Sequence, residues 1–406
     1  MLKVSAGNNG GRTWGRVLLF LGLAWAGTLS AAAEEGGSSL AIKHEYFWDR
    51  NGVWNHTPAF LLRKALSRKW SLNWEQELDV VTGASRRLGL EKVGLTGDGK
   101  PDAVSGASKI EERHSENPGI AYSHKGVTAT ASLYYSRETD YTSLSPAASF
   151  SWDFNERNTT LGFTGAEFHD DFRPAGAFAG LGGKKTIRSL GATVAQSLTP
   201  LILVGLTASY IKSWGYLGHP YNPPVDTSGA ILNESVPGRK EAGALAAQIV
   251  QGFHLGGRLG SVNLDVRRYQ DTWALKSSTV DLKVSQYFME GAYFRFRARY
   301  YTQTGAAFAK EAYTGTETYH TADIRFFPFS SWLFGGKLSG PFPDSWGESY
   351  LMPDRWDIKY EQTQRDTRGD PKGTIDGRRE RVLYQLYDPG EYYRQGVLMA
   401  GLLFNL

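Results

Sequence analysis

The segment from Phe294 to Tyr300 reads Phe-Arg-Phe-Arg-Ala-Arg-Tyr, and it narrows the choice of fold more than any other stretch of the chain. Successive side chains of a β-strand point to opposite faces. Arg295, Arg297 and Arg299 therefore share one face, and Phe294, Phe296, Ala298 and Tyr300 the other. A soluble sheet buries its apolar face in a core. In a large closed sheet the same alternation sets the aromatic face against lipid and the guanidiniums in a polar lumen.

The pattern recurs. Leu72, Trp74, Gln76, Leu78 and Val80 oppose Ser71, Asn73, Glu75, Glu77 and Asp79, and Phe150, Trp152 and Phe154 oppose Ser149, Ser151 and Asp153. Leu264 and Val266 oppose Asp265 and Arg267; Val280, Leu282 and Val284 oppose Asp281, Lys283 and Ser285; Ile358 and Tyr360 oppose Asp357, Lys359 and Glu361. These are period-two strands with a charged polar face, which suits a wet lumen better than a dry core. Short turns at 67–69, 124–126, 155–158, 198–200 and 288–291 alternate with glycine- and proline-rich stretches at 82–108, 170–185, 215–238, 304–316 and 339–353. The short set is expected at the periplasmic end of a barrel and the long set outside. The stretch 365–378 is too long for an easy turn on the short side. With ~10 residues per strand, the expectation is an all-β, transmembrane, antiparallel up-and-down β-barrel of about 16 strands, within a range of about 14 to 18. The last apolar face, Leu398, Ala400, Leu402, Phe404 and Leu406, reads as a closing strand, although the final residue is Leu406 and the aromatic is Phe404.

Lys3, Arg12 and Arg16 precede an apolar run from Val17 to Leu29, followed by Ala31-Ala32-Ala33. This is the layout of a signal peptide, so residues 1–33 are expected to be removed and residues 34–406 to form the barrel. The leader carries three of the 45 basic residues and no acidic one, leaving 42 against 41 in the mature chain. Near-neutral charge gives no footprint for nucleic acid, and no nucleic-acid partner is expected. The chain has no cysteine, which excludes disulfides, thiolate metal sites and covalent c-type haem. No cofactor is expected.

A heptapeptide is duplicated. Asp79–Ser85 and Asp102–Ser108 both read D-x-V-[ST]-G-A-S. Such residues order a loop on itself, and Asp79 and Asp102 are also candidate oxygen ligands for a loop cation, though without EF-hand spacing. Glu112 and His114 share a strand face and read as a solvated pair, and Glu138–Tyr141 and His169–Asp171 as acidic rim loops. The eight histidines are scattered, no H-E-x-x-H occurs, and no Ser/His/acid set has motif support. A barrel hydrolase is the least supported class.

Further ordered segments are Lys109–Arg113, Tyr135–Ser143, Trp152–Asn155, Asn158–Thr160, Gly215–Tyr221, Tyr269–Trp273 and Arg299–Phe308. Together with the paired heptapeptides, this order resembles an uncharacterised family of Gram-negative outer-membrane β-barrels, classed as a domain of unknown function. The resemblance implies a cell outer-membrane location and a barrel fold, with no established activity or catalytic residue. It also implies a redox-related envelope role with a periplasmic redox partner. Outer-membrane lipid, lipopolysaccharide and the barrel assembly machinery are the other expected partners.

The charged inner faces are the best functional candidates. Glu75, Glu77, Asp79, Asp265 and Asp281 are expected to meet Arg267, Lys283, Arg295, Arg297 and Arg299 across the lumen. Separated acidic and basic walls would leave a water-filled pore for small charged solutes, whereas interlocked pairs would plug the barrel. The expected function is porin-like passage or gating of small polar solutes. The alternative is a non-conducting barrel that scaffolds a periplasmic redox or export partner.

Overall fold

The computed structural model describes residues 37–49, 54–82, 110–174, 179–220, 224, 226–228, 230, 232–310, 312–343, 352–366, 373–375, 378–380 and 392–406. The expected leader, Asp102 and most of the duplicated heptapeptides lie outside these residues. The strands are β1 (Ser39–Asp49), β2 (Trp54–Ala65), β3 (Trp70–Thr82), β4 (Ile110–His124), β5 (Val127–Arg137) and β6 (Tyr141–Phe154). Next come β7 (Thr159–Phe172), β8 (Gly183–Thr199), β9 (Ile202–Gly215), β10 (Arg239–Leu255), β11 (Arg258–Asp271) and β12 (Lys276–Met289). The remainder are β13 (Ala292–Gln303), β14 (Phe329–Pro341), β15 (Arg355–Asp366), a small hairpin of β16 (Gly373–Ile375) and β17 (Arg378–Glu380), and β18 (Tyr392–Asn405).

Strands β1–β15 and β18 close into one antiparallel barrel of sixteen strands in which neighbours in sequence are neighbours in space. β1 and β18 complete the ring, in register from Ser39 opposite Asn405 to Asp49 opposite Gln395. Sixteen strands leave a lumen wide enough for water. No helix among the described residues is long and apolar enough to cross a membrane.

Alternation works as expected. Phe163, Leu206 and Leu245 expose 53%, 61% and 69% of their surfaces to the outside, whereas Asp79, Asp281 and Glu361 are buried on the inner face. A closed sheet with its large apolar side chains outside is built for a hydrocarbon solvent. Aromatics border the band at both ends: Trp70 packs on Tyr122 near the short turns, and Tyr300 on Trp332 near the long loops, with ring centroids 4.9 and 4.8 Å apart. The inner face also carries apolar patches, such as Phe47 with Val397.

One assignment of ends is corrected. An even number of strands puts the β14–β15 connection, residues 342–354, at the end of the short turns, and the β15–β18 connection at the end of the long loops. The stretch 339–353 is thus not among the outer loops, and 365–378 is. The shift arises because the β13–β14 loop runs on to Pro328. Its apolar Ile324–Phe326 forms a 3-10 turn instead of a strand.

Phe334 projects outward near the middle of β14 with half its surface exposed. Phe334→Arg is expected to lower the unfolding free energy in lipid by about 2–4 kcal/mol, the cost of a cation on the lipid face at mid-depth. Denaturant titration in vesicles checks this.

Candidate functional site

The arginine-rich strand sits inside the wall as the alternation requires. Arg297 donates through Nε to Asp281 Oδ1 at 3.0 Å and through Nη1 to Glu361 Oε1 at 2.9 Å, and its Nη2 reaches Asp281 Oδ2. Arg299 donates to the same Asp281 Oδ2 from Nε at 2.9 Å, and Lys359 lies 3.4 Å from Glu361. Two carboxylates and three cations thus form one continuous network on β12, β13 and β15. A guanidinium suits this role because its fork can grip one carboxylate in bidentate fashion and still reach another.

Register explains how Arg297 reaches β15 across an intervening strand. Arg297 faces Gly335 on β14, and Gly335 faces Glu361 on β15. A Cβ at Gly335 would fall 2.6 Å from Glu361 Cγ, so only glycine lets the two charged side chains meet over the backbone. The same device recurs at the seam of the barrel. Lys43 faces Gly401, Gly401 faces Asp357, and a Cβ there would sit 2.9 Å from Asp357 Oδ1 and 3.4 Å from Lys43 Cγ.

The remaining candidates pair nearby. Lys283 binds Asp265 at 3.0 Å, and Arg295 donates to Ser285 Oγ at 3.0 Å while its guanidinium lies 5.4 Å from the Tyr293 ring. Arg267 is half-buried beside Tyr269 and Tyr301, and Glu75 and Glu77 lie within electrostatic range of Lys43. Asp79 belongs to β3 and not to a loop; its carboxylate accepts from Thr57 Oγ1 and pairs with Arg113, directly opposite on β4. Every inner-wall ion pair among the described residues joins one strand to itself, its neighbour or its next neighbour.

The mouth contains what sequence reasoning missed. The β9–β10 and β13–β14 loops fold inward onto each other. Trp273 of the β11–β12 connection, Ala306 and Phe308 form an apolar cluster with Leu217, Val236 and Phe326. The inward-facing Gln303 donates to Arg325 O and Phe327 O, both at 2.7 Å, and Arg365 donates to Ile324 O at 3.2 Å. The 3-10 turn is therefore held inside the barrel rim. On the other side Phe172 of β7 stacks on His219, with centroids 5.7 Å apart.

Glu234 joins the two loops. Its carboxylate accepts from Thr321 Oγ1 on one loop and from the His219 amide on the other. Burial, reinforced by nearby Asp323, pushes this carboxyl up to about 8, while the two hydrogen bonds and Arg325 act against the shift. Asp323 is held below the usual carboxylate range by Arg325, its ion-pair partner, against the opposing effect of burial. The sequence signal for the mouth was the motif set: Gly215–Tyr221, Tyr269–Trp273 and Arg299–Phe308 all converge here.

Elsewhere Glu112 and His114 lie 3.8 Å apart and exposed, as expected for a solvated pair. Asp170 is buried and takes a 2.7 Å bond from Ser143, so it is no free rim acid. Among the described residues no three potential metal ligands cluster.

Fold and wall together define a membrane-spanning β-barrel with a charged, water-facing lumen. Over residues 27–370 the chain matches the family described as "Protein of unknown function (DUF3570)", and it belongs to that family. It matches no curated protein in sequence. Among solved structures it is similar to a bacterial polysaccharide outer membrane secretin, at 10% identity and a TM-score of 0.48, covering 92% of this chain and 99% of that one. It is also similar to OccK2 of Pseudomonas aeruginosa, at 9% identity and 0.42, covering 92% and 99%. The siderophore receptor PirA of Pseudomonas aeruginosa gives 8% and 0.42, covering 81% and 56%.

Arg297→Ala leaves Asp281 with Arg299 and Glu361 with Lys359 but removes the cation they share, and the barrel is expected to lose about 1–3 kcal/mol, the range for losing hydrogen bonds to charged groups. Arg297→Lys keeps the charge but not the fork, and chemical denaturation should find it between the two. Ionisation of Glu234 is favoured when the loops part, so closure is strongest below the ordinary carboxylate range. It weakens as pH rises from there through about 8. Amide-exchange protection of residues 304–328 should fall over that interval, and Glu234→Gln should remove the fall.

Proposed function

We propose that the protein is an outer-membrane channel of porin type that passes small polar solutes. In this reading the short-turn end faces the periplasm and the paired loops gate the outer mouth. The observation that carries it is the direction of the ion pairs. They run along the wall, in one case over Gly335, and do not require the two sides of the lumen to touch. Across β11–β15, inward-facing cations outnumber carboxylates: Arg267, Lys283, Arg295, Arg297, Arg299, Lys337, Arg355, Lys359 and Arg365 stand against Asp265, Asp271, Asp281, Asp357 and Glu361. The facing strands β3–β7 carry inward Glu75, Glu77, Asp79, Asp153 and Asp170 against Arg113, with hydroxyls such as Ser136, Ser143 and Ser145 between them. A wall rich in cations facing one rich in carboxylates sets a transverse field across a wet lumen and steers small charged solutes.

The packed mouth is the observation that favours the other reading, a non-conducting barrel that scaffolds a periplasmic redox or export partner. The two separate in planar bilayers. A channel gives ohmic single-channel steps and, in a salt gradient, a measurable reversal potential. Arg295→Glu, at a cation bound only to a hydroxyl and an aromatic ring, should move that potential toward the cation. Silence from folded, inserted protein at both low and high pH would overturn the channel reading, and co-purification from native membranes would then be the test of the scaffold.

A further inference from the structure

The outer wall of β7–β12 carries an apolar groove of about 900 Å³ whose walls and floor are set by register. One row of outward-facing residues crosses the strands as Phe163, Ala192, Ala208, Leu245 and Arg268. The next, on the loop side, runs Leu190, Tyr210, Gly243, Gln270 and Lys276. Small residues at 192, 208 and 243 form the floor, and Phe163, Leu190 and Leu245, all more than half exposed, rise beside it.

The groove is polarised. Phe163 lies deep in the band, nine residues from the loop end of β7, whereas Arg268 lies three from that end of β11 and Lys276 opens β12 at the rim. The rows therefore climb obliquely from hydrocarbon depth to the loop-side edge and finish on two cations. Arg268 donates to Ser278 Oγ, and neither Arg268 nor Lys276 has a carboxylate partner among the described residues. Their neighbours do: Arg188 pairs with Glu167, and Lys212 with Glu241 at 2.9 Å. Two uncompensated cations at the top of an apolar trough complement a lipid with a phosphate head and acyl chains below it.

We propose that this groove is a specific site for one phosphorylated saccharolipid of the outer leaflet, lipid A, with its acyl chains along the floor and a phosphate on Arg268 and Lys276. The assignment of leaflet rests on the orientation proposed above. Binding itself is read separately, because the two rows of side chains that shape the groove face away from the lumen. Purified full-length protein in detergent is titrated with bisphosphorylated lipid A, dephosphorylated lipid A and phosphatidylglycerol, and occupancy is read by native mass spectrometry.

Bisphosphorylated lipid A should be retained at one per barrel, with retention falling at least ten-fold for the dephosphorylated form and for Arg268→Ala/Lys276→Ala. Gly243→Leu should cause a similar loss with both cations in place, since a Cβ there meets nothing closer than Ser209 O at 4.0 Å and the added side chain fills the trough without strain. Equal retention of phosphatidylglycerol, or retention unaffected by either variant in protein that keeps its folded gel mobility, overturns the proposal. Should Arg268→Ala/Lys276→Ala fail to fold, Gly243→Leu and the dephosphorylated ligand decide it. Conductance of the same preparations tests the channel on its own. A silent barrel that binds lipid A refutes only the channel, and absence of surface labelling at a long-loop residue in intact cells refutes only the orientation.

Discussion

Every strand of this protein depends on the closure of β1 against β18. In hydrocarbon an unpaired amide or carbonyl finds no water, so a sheet that crosses a bilayer must hide both of its edges. The seam does this by pairing the two ends of the barrel sequence along their whole length, from Ser39 to Asp49. Once the edges are gone, one face must meet lipid and the other must meet whatever fills the cylinder. The outward aromatics and the inward charges are consequences of that closure. So is the parity that places the 342–354 connection beside the short turns.

Closure also sets the geometry of the charged wall. Side chains on a curved inner surface converge, so a cation on one strand can reach a carboxylate two strands away if the strand between offers no side chain. Gly335 and Gly401 supply that gap. The wall is stitched laterally, in the direction in which the hydrogen-bond ladder already runs, and its charges stay at the perimeter. A network such as Arg297 with Asp281 and Glu361 is thus compatible with water in the centre, which pairing across the diameter would not be.

Much of the barrel was legible in the sequence because strand faces obey a period of two. Arg295, Arg297, Arg299, Glu75 and Asp281 took their sides from that rule alone. What the rule does not carry is register. Nothing in the segment around Gly335 announces that Arg297 and Glu361 meet above it, since that needs two strand offsets known at once. Asp79 read both as an inner-face carboxylate and, through the heptapeptide repeated at Asp102, as a loop cation ligand; its partner Arg113 stands thirty-four residues away in sequence and directly opposite in space. The mouth was less legible still. Glycine and proline mark the β9–β10 and β13–β14 segments as loops but do not say that loops fold inward. Glu234, in a stretch without periodicity, gains its meaning only from Thr321 and His219.

The apolar cluster around Trp273 has a bearing on how the mouth moves. It takes side chains from three connections, β9–β10, β11–β12 and β13–β14, and none of them has a separate core of its own there. Loops that share a nucleus cannot leave it one at a time without exposing the faces left behind. The three connections are therefore tied into one packed unit at the rim. In the proposed channel, opening one of them would disturb the packing of the other two.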